Sequence, residues 1–214
     1  MIDAQNFVEI ENKVGHLPAM LSQAEMHELA RLGERTKANG QIVEIGSWKG
    51  MSSCWLSLGA ALGSQANLFC IDTWVRPWTL WGQIRDGRKT REELGSKNTL
   101  PGFLEAIETA GVTESITVCP GTSAEIATQW KNGIIGNGSP INGLFFDASK
   151  NYKTILEDLQ NWIPHVESGS WVAWHDNDDP RMRQFLDDHV MPDRALSLFT
   201  NVYEVHRLTI AELK

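Results

Sequence analysis

Leu144-Phe-Phe-Asp-Ala-Ser-Lys150 and Trp171-Val-Ala-Trp-His-Asp-Asn177 are the two stretches that decide the fold. Each is an apolar run of strand length that stops at a carboxylate, Asp147 in the first and Asp176 in the second. The segment 151–164 between them carries apolar residues at helical spacing. A strand, a crossover helix and a second parallel strand form a right-handed unit, so both strands end at the same edge of a sheet. The pair therefore predicts an α/β fold.

Three oxygen ligands are expected to converge where these two strands end. Asp147, Asp176 and the adjacent Asn177 carry hard oxygen donors, which Mg²⁺ and similar divalent cations prefer. In open α/β sheets the carboxyl edge is also where ligands bind. This arrangement is typical of an enzyme.

Length and composition predict one domain, 1–214. Its 42% hydrophobic content is enough to bury a full core. The net charge of −8 disfavours nucleic acid or an anionic membrane as the main partner. The odd number of cysteines, three in apolar contexts, predicts buried thiols in a reducing compartment. Because no apolar run reaches the ~18–20 residues that span a bilayer and no secretory leader is visible, we expect a cytoplasmic protein.

Strands and helices alternate after a helical start. Ser22 and Glu25 form a capping-box pattern that predicts a helix over 22–39, inside an N-terminal helical cap of residues 1–40. The later helices are predicted at 52–62, 102–110, 123–131, 152–162 and near 180–189. The strands are predicted at 42–45, 68–71, 115–119, 143–146, 170–174 and near 197–208.

Residues 75–100 interrupt this alternation with a polar, glycine-containing segment that we interpret as an insertion or lid. Trp74, Trp78 and Trp81 are spaced to share one helical face. These aromatic side chains would either close over a bound substrate and exclude water, or anchor the segment to the core or to a dimer partner.

Candidate ligand-binding groups follow three other predicted strands. In Val43-Glu-Ile-Gly-Ser-Trp-Lys-Gly50, Gly46 and Gly50 permit a tight turn and the close approach of a ligand. The spacing matches neither a phosphate P-loop nor the Gly-x-Gly-x-x-Gly dinucleotide pattern. Asp72 would either accept hydrogen bonds from ribose hydroxyls or cap a helix. Ser123 would either contact an adenine edge or cap the helix that follows it.

Taken together, these motifs resemble the class I S-adenosylmethionine-dependent methyltransferases over about residues 15–180. The resemblance is to the metal-dependent small-molecule O-methyltransferases, which include catechol, caffeoyl-CoA and macrolide-sugar types. It implies a Rossmann-like, doubly wound, mostly parallel seven-stranded α/β sheet with an antiparallel C-terminal edge strand. It also implies a homodimer that methylates a hydroxyl of a small molecule, with Mg²⁺ or another divalent cation.

The resemblance assigns roles to individual residues. Cofactor binding falls on Glu44, Gly46, Ser47, Gly50, Asp72, Thr73, Ser123 and Asp147. The metal ligands fall on Asp147, Asp176 and Asn177. Lys150 falls on the catalytic lysine of the catechol and caffeoyl-CoA types, where it would accept the proton of the substrate hydroxyl. His175 is the second catalytic candidate, although it could equally be a ligand or a structural histidine.

The resemblance leaves the identity of the methyl acceptor open. Ser149 and Lys150 stand where the sugar-type enzymes usually carry Asp and His, whereas the insertion after Asp72 and the His175-Asp176 pair look more like that sugar branch. Two other functions also stay open. One is a cofactor-binding relative without methyl transfer, similar to the antibiotic-hydroxylase-associated proteins, and the other is a different nucleotide-dependent α/β enzyme.

Overall fold

The computed structural model describes residues 2–75, 98–191 and 197–214. The strands are β1 (Gln41–Ile45), β2 (Asn67–Asp72), β3 (Ile116–Pro120), β4 (Ile141–Phe146), β5 (Val166–Trp174), β6 (Phe199–Val205) and β7 (Leu208–Leu213). The α-helices are α1 (Ala4–Val14), α2 (Gln23–Arg35), α3 (Met51–Leu62), α4 (Leu100–Ala110), α5 (Ser123–Lys131), α6 (Tyr152–Trp162) and α7 (Pro180–His189). Within these ranges, no helix is long and apolar enough to cross a membrane.

The strands form one seven-stranded sheet in the order β3-β2-β1-β4-β5-β7-β6. β1 to β5 run parallel, whereas β7 pairs antiparallel with both β5 and β6. The strand order reverses between β1 and β4, and in such sheets the crevice outside the carboxyl ends at that point is where ligands bind. The predicted doubly wound, mostly parallel α/β sheet is therefore confirmed.

Helices cover both faces of the sheet. α1 to α4 pack their apolar sides on one face, around residues such as Trp55 and Phe103, and α5 to α7 pack on the other, around Trp130 and Phe185. α2 and α3 approach so closely that a Cβ on Gly59 would lie 2.1 Å from the carbonyl oxygen of Ala30. This packing explains why α3 is buried over most of its length.

The C-terminal region corrects the prediction of a single strand near 197–208. His206 and Arg207 form a two-residue turn that divides the region into β6 and β7. His206 has a φ of +54°, because tight hairpin turns need a residue in the left-handed region. The sequence concealed the turn, since neither residue is a typical turn former.

Trp74 belongs to the core, whereas most of the predicted lid, residues 76–97, lies outside the described residues. Its ring centroid lies 5.0 Å from that of Phe103, and its indole nitrogen donates a 2.9 Å hydrogen bond to the carbonyl oxygen of Trp48. Trp78 and Trp81 fall in the part of the chain that the structure does not describe. These contacts support the alternative in which Trp74 anchors the segment to the core.

The candidate active site

A cavity of about 410 Å³ opens at the carboxyl edge of the sheet. Its wall combines the turn after β1, the residues that follow β4 and β5, and the linker between α1 and α2. The predicted site residues on this wall are Gly46, Ser47, Asp147, Lys150, His175 and Asp176. The volume is in the range of small-molecule sites.

A second cavity of about 470 Å³ lies at the opposite edge of the sheet. The polar groups there pair with one another: Glu167 accepts from Lys37 at 2.8 Å and from Asn142 at 2.5 Å. None of the predicted site residues lines this second cavity.

The turn after β1 needs the glycines that the sequence pattern singled out. Gly46 has a φ of +102°, and a Cβ there would lie 2.6 Å from the carbonyl carbon and oxygen of Asp147. Gly50 is the N-cap residue of α3, with a φ of +85°. The first turn of α3 reaches the cavity through Met51 and Ser52. The positive end of the α3 dipole therefore lies at the cavity wall, where it favours anionic ligand groups.

Glu44 lies beneath this turn. Its carboxylate is fully buried and accepts hydrogen bonds from the hydroxyl of Ser53 and, at 3.5 Å, from the thiol of Cys70. Burial raises the pKa of Glu44, while the neighbouring serine hydroxyls oppose that effect. Its predicted contact with the cofactor stays a prediction, because Glu44 is absent from the described cavity wall.

Asp72 joins the ends of β1 and β2. One carboxylate oxygen accepts from the backbone N–H of Trp48 at 2.9 Å and the other from that of Trp74 at 2.8 Å. A carboxylate has capacity for about four hydrogen bonds, so these contacts are compatible with the predicted binding of ribose. The hydroxyl of the neighbouring Thr73 is directed to the carbonyl oxygen of Val75 at 3.2 Å.

Ser123 does not cap α5, so that alternative is wrong. The N-cap residue is Thr122, which forms a capping box with Glu125. The hydroxyl of Ser123 instead accepts a 2.9 Å hydrogen bond from the indole of Trp162. The predicted contact of Ser123 with adenine stays a prediction.

Asp147, His175 and Asp176 converge at the edge, as the topology of β4 and β5 requires. One potential ligand atom from each lies within 4.8 Å of the others. Nδ1 of His175 lies 3.0 Å from Oδ1 of Asp147 and 3.4 Å from Oδ1 of Asp176. The sheet places them, because the backbone N–H of Asp147 bonds to Ile45 and that of His175 bonds to Phe146.

Asn177, the third predicted metal ligand, faces differently. It is buried, and its amide nitrogen donates to the hydroxyl of Thr209 on β7 at 3.3 Å. Only its amide oxygen is then left as a candidate ligand atom. Its role in a metal centre stays a prediction.

His175 lies between two carboxylates. Its Nε2 is 3.2 Å from Oε1 of Glu25, whose side chain is 1% exposed. Burial lowers the pKa of His175, but hydrogen bonds to Asp147 and Glu25 outweigh burial and raise it to about 9. Burial raises the pKa of Glu25, and hydrogen bonds from His175 and Ser22 then bring it down to about 2. In this arrangement His175 holds its proton at neutral pH and is a poor general base.

Lys150, the other catalytic candidate, lies beside Asp176. Its Nζ lies 2.7 Å from Oδ2 of Asp176 at the cavity wall. Burial and the nearby charge of Arg207 lower the pKa of Lys150, although neighbouring aspartates oppose the shift. A lowered pKa makes a lysine a better proton acceptor at neutral pH.

The sequence analysis missed two residues of the site, Glu25 and Arg207. The guanidinium of Arg207 is paired with Asp176 and, at 2.9 Å, with Asp178. The sequence pattern identified Glu25 only as part of a helix cap. It gave no indication of a role for Arg207, because the turn that holds this residue was not predicted. Both reach the site through tertiary packing.

Comparisons with known proteins agree with the fold. Residues 43–177, well over half of the chain, match the family described as a methyltransferase domain. The chain belongs to this methyltransferase family, and the family-level resemblance drawn from its motifs is confirmed. No protein among the curated ones matches the sequence.

Solved structures show the same fold at low identity. A cofactor-bound protein, Rv0187 from MTB, is 17% identical with a TM-score of 0.64, and the match covers 99% of this chain and 90% of that one. An O-methyltransferase from Bacillus cereus in complex with SAH is 17% identical with a TM-score of 0.63, covering 100% and 93%. The O-methyltransferase TomG from Streptomyces achromogenes, involved in tomaymycin synthesis and bound to SAM, is 18% identical with a TM-score of 0.63, covering 100% and 91%.

Proposed function

We propose that this chain transfers a methyl group from S-adenosylmethionine to a hydroxyl of a small molecule, with a divalent cation at the carboxyl edge. The observation that carries the proposal is the meeting of Asp147, Asp176 and Lys150 on the wall of one cavity, beside the glycine turn of a methyltransferase domain. Solved structures with this fold that hold SAM or SAH support the choice of methyl donor.

The donor set fits a divalent cation. Two carboxylates, Asp147 and Asp176, present hard oxygens that suit Mg²⁺, and the amide oxygen of Asn177 is the third candidate. His175 lies in the same cluster, but while it holds its proton both ring nitrogens are hydrogen-bond donors, so it supports the carboxylates and is not itself a ligand. A cation held there would stabilise negative charge on the acceptor oxygen as the hydroxyl ionises.

The protein's own residues supply the proton transfer and the orientation. Lys150 accepts the hydroxyl proton at Nζ, helped by the burial that lowers its pKa. Because the turn at Gly46 and the residue Asp147 are in backbone contact, the donor site and the acceptor site have a defined separation. In well-oriented reactions such positioning lowers the activation free energy by on the order of 7–11 kcal/mol.

The cavity wall favours a phenolic acceptor over a sugar. Pro18, Met20 and Leu21 of the α1–α2 linker line the same cavity as the candidate ligands. An aromatic ring can pack on these apolar side chains while its hydroxyl points to the carboxyl edge. A sugar carries hydroxyls around its ring, and those that faced this wall would lose hydrogen bonds to water at a cost of about 1–3 kcal/mol each.

Cellular context and assembly belong to the proposal as well. Three buried free cysteines support a cytoplasmic location, and the net charge of −8 supports the absence of a nucleic-acid partner. The homodimer is proposed from the family resemblance alone. Sedimentation velocity on the purified chain tests the dimer.

The test of function is methyl transfer from labelled S-adenosylmethionine to a panel of catechols, simple phenols and sugars, with Mg²⁺ and with a chelator. Asp147→Asn should reduce turnover by at least about 100-fold while calorimetry still detects SAH binding. The matched control is Glu167→Gln, which removes a carboxylate at the opposite edge and should leave turnover unchanged.

The outcomes separate the candidate functions. SAH binding without transfer to any acceptor would favour a cofactor-binding relative. Preference for NAD over SAH would favour another nucleotide-dependent enzyme. Chelator-insensitive turnover, together with normal turnover in Asp147→Asn, would exclude the metal centre and leave methyl transfer standing.

A further inference from the structure

Arg207, on the hairpin turn between β6 and β7, touches the candidate centre through both its backbone and its side chain. Its guanidinium donates to Asp176 and to Asp178. Its carbonyl oxygen accepts from the backbone N–H of Asn177 at 3.1 Å, and its own N–H donates to Glu25 at 3.1 Å. One residue therefore contacts three consecutive residues after β5 and also the carboxylate that holds His175.

The segment that Arg207 contacts needs outside support. Asp176 has a φ of +65°, a left-handed backbone conformation that a non-glycine residue keeps where its surroundings impose it. A carbonyl that binds Asn177 and a guanidinium that binds Asp176 and Asp178 impose this conformation from two sides. The guanidinium is a rigid fork, so it also fixes the orientation of the Asp176 carboxylate.

Glu25 fixes the hairpin turn in return. Its Oε1 accepts the N–H of Arg207 and lies 3.2 Å from His175, while the other oxygen accepts from the backbone N–H of Ser22. The side chain is 1% exposed. The start of α2, the hairpin turn and His175 thus share one buried carboxylate.

We propose that Arg207 is a positioning residue of the candidate metal centre: it orients the Asp176 carboxylate toward Asp147 without itself touching substrate. This inference rests on the proposed function in its metal part alone. Residues that orient metal-binding carboxylates typically change metal affinity by about 10–100-fold when they are replaced. Since Arg207 is also a cation next to the centre, removing its charge alone would strengthen the binding of a divalent cation. When Arg207 is replaced by a neutral residue, a positioning role therefore predicts weaker metal binding, whereas plain charge repulsion predicts stronger metal binding.

The experiment measures Mn²⁺ affinity by electron paramagnetic resonance, without S-adenosylmethionine or acceptor. Arg207→Gln should weaken Mn²⁺ binding by about 10–100-fold. Arg207→Lys keeps the charge but loses the fork, so it should also bind Mn²⁺ clearly more weakly than wild type. The matched control is Arg35→Gln, which removes a guanidinium that donates to Tyr203 on β6, far from the centre, and should leave Mn²⁺ affinity unchanged.

SAH binding by calorimetry accompanies each variant as a measure of folding at the donor site. Unchanged or tighter Mn²⁺ binding in Arg207→Gln, or wild-type affinity in Arg207→Lys, overturns the positioning role. A wild-type chain that transfers methyl groups but does not bind Mn²⁺ overturns this inference and leaves methyl transfer intact. Failure of the wild type to bind SAH counts against the proposed function, whereas the Mn²⁺ series still decides the role of Arg207.

Discussion

Gly46→Ala tests whether the glycine turn and the acidic edge work as one unit. The substitution places a Cβ 2.6 Å from the carbonyl of Asp147, whereas ordinary van der Waals contacts begin near 3.4 Å. The backbone of Asp147 must therefore retreat by about 0.8 Å or the turn must open. The φ of +102° adds strain of about 1–3 kcal/mol.

The expected result is a large loss of catalysis with a moderate loss of stability. A displacement near 1 Å between donor and acceptor sites can cost on the order of 100-fold in rate. Strain of 1–3 kcal/mol lowers the melting temperature by about 2–4 °C per kcal/mol in a domain of this size. The assay is kcat/KM for methyl transfer beside a thermal melt of the same preparation.

Gly111→Ala is the matched control. Gly111 ends α4 with a φ of +70°, and a Cβ there would meet nothing within 4 Å. Gly111→Ala therefore introduces backbone strain without a clash, so the kcat/KM of this variant should stay near the wild-type value. If Gly46→Ala kept wild-type kcat/KM, or lost no more than Gly111→Ala, the coupling between the turn and Asp147 would be refuted.

Two other predictions concern ionisable groups. Lys150→Met should act mainly on kcat, with a smaller effect on KM. It should also remove the rise of activity with pH that deprotonation of Lys150 produces. A wild-type pH profile in this variant would reject Lys150 as the base. For Glu44, burial raises the folded-state pKa above 4.5, so its contribution to stability is fully present below pH 4.5 and is lost as pH rises through the folded pKa. Glu44→Gln should therefore raise the melting temperature relative to wild type at pH 8 and lose that advantage near pH 4; a constant difference across a pH series of melts would contradict the argument.

The regular elements were predictable because the signals for them are local. The apolar runs before Asp147 and Asp176 are too short for helices and end in polar groups, and the helix between them has clear periodicity. The parallel crossover then places both carboxylates at one edge, which the structure confirms. The boundary at His206 was missed, since a hairpin turn without Gly, Asn or Asp gives no composition signal.

The structure brings the two predicted carboxylates together and places several of the other predicted site residues in different surroundings. Asp147 and Asp176 meet at the cavity, but Asn177 directs its amide nitrogen to Thr209. Ser123 has its hydroxyl engaged by Trp162, a contact 39 residues away in the chain. Rotamers of this kind depend on which neighbours the fold supplies, so no spacing rule could have predicted them.

The sequence by itself determined the parallel part of the sheet and the edge at which the carboxylates that follow β4 and β5 meet, because hydrophobic periodicity and the handedness of crossovers act on short stretches of chain. Only the tertiary structure decided which groups surround those carboxylates. Glu25 reaches His175 and Arg207 from 150 or more positions away in the chain, with 182 residues separating Glu25 and Arg207. Such pairs form because burying a charge requires a partner, and the partner is whichever side chain the packed helices and strands bring within reach.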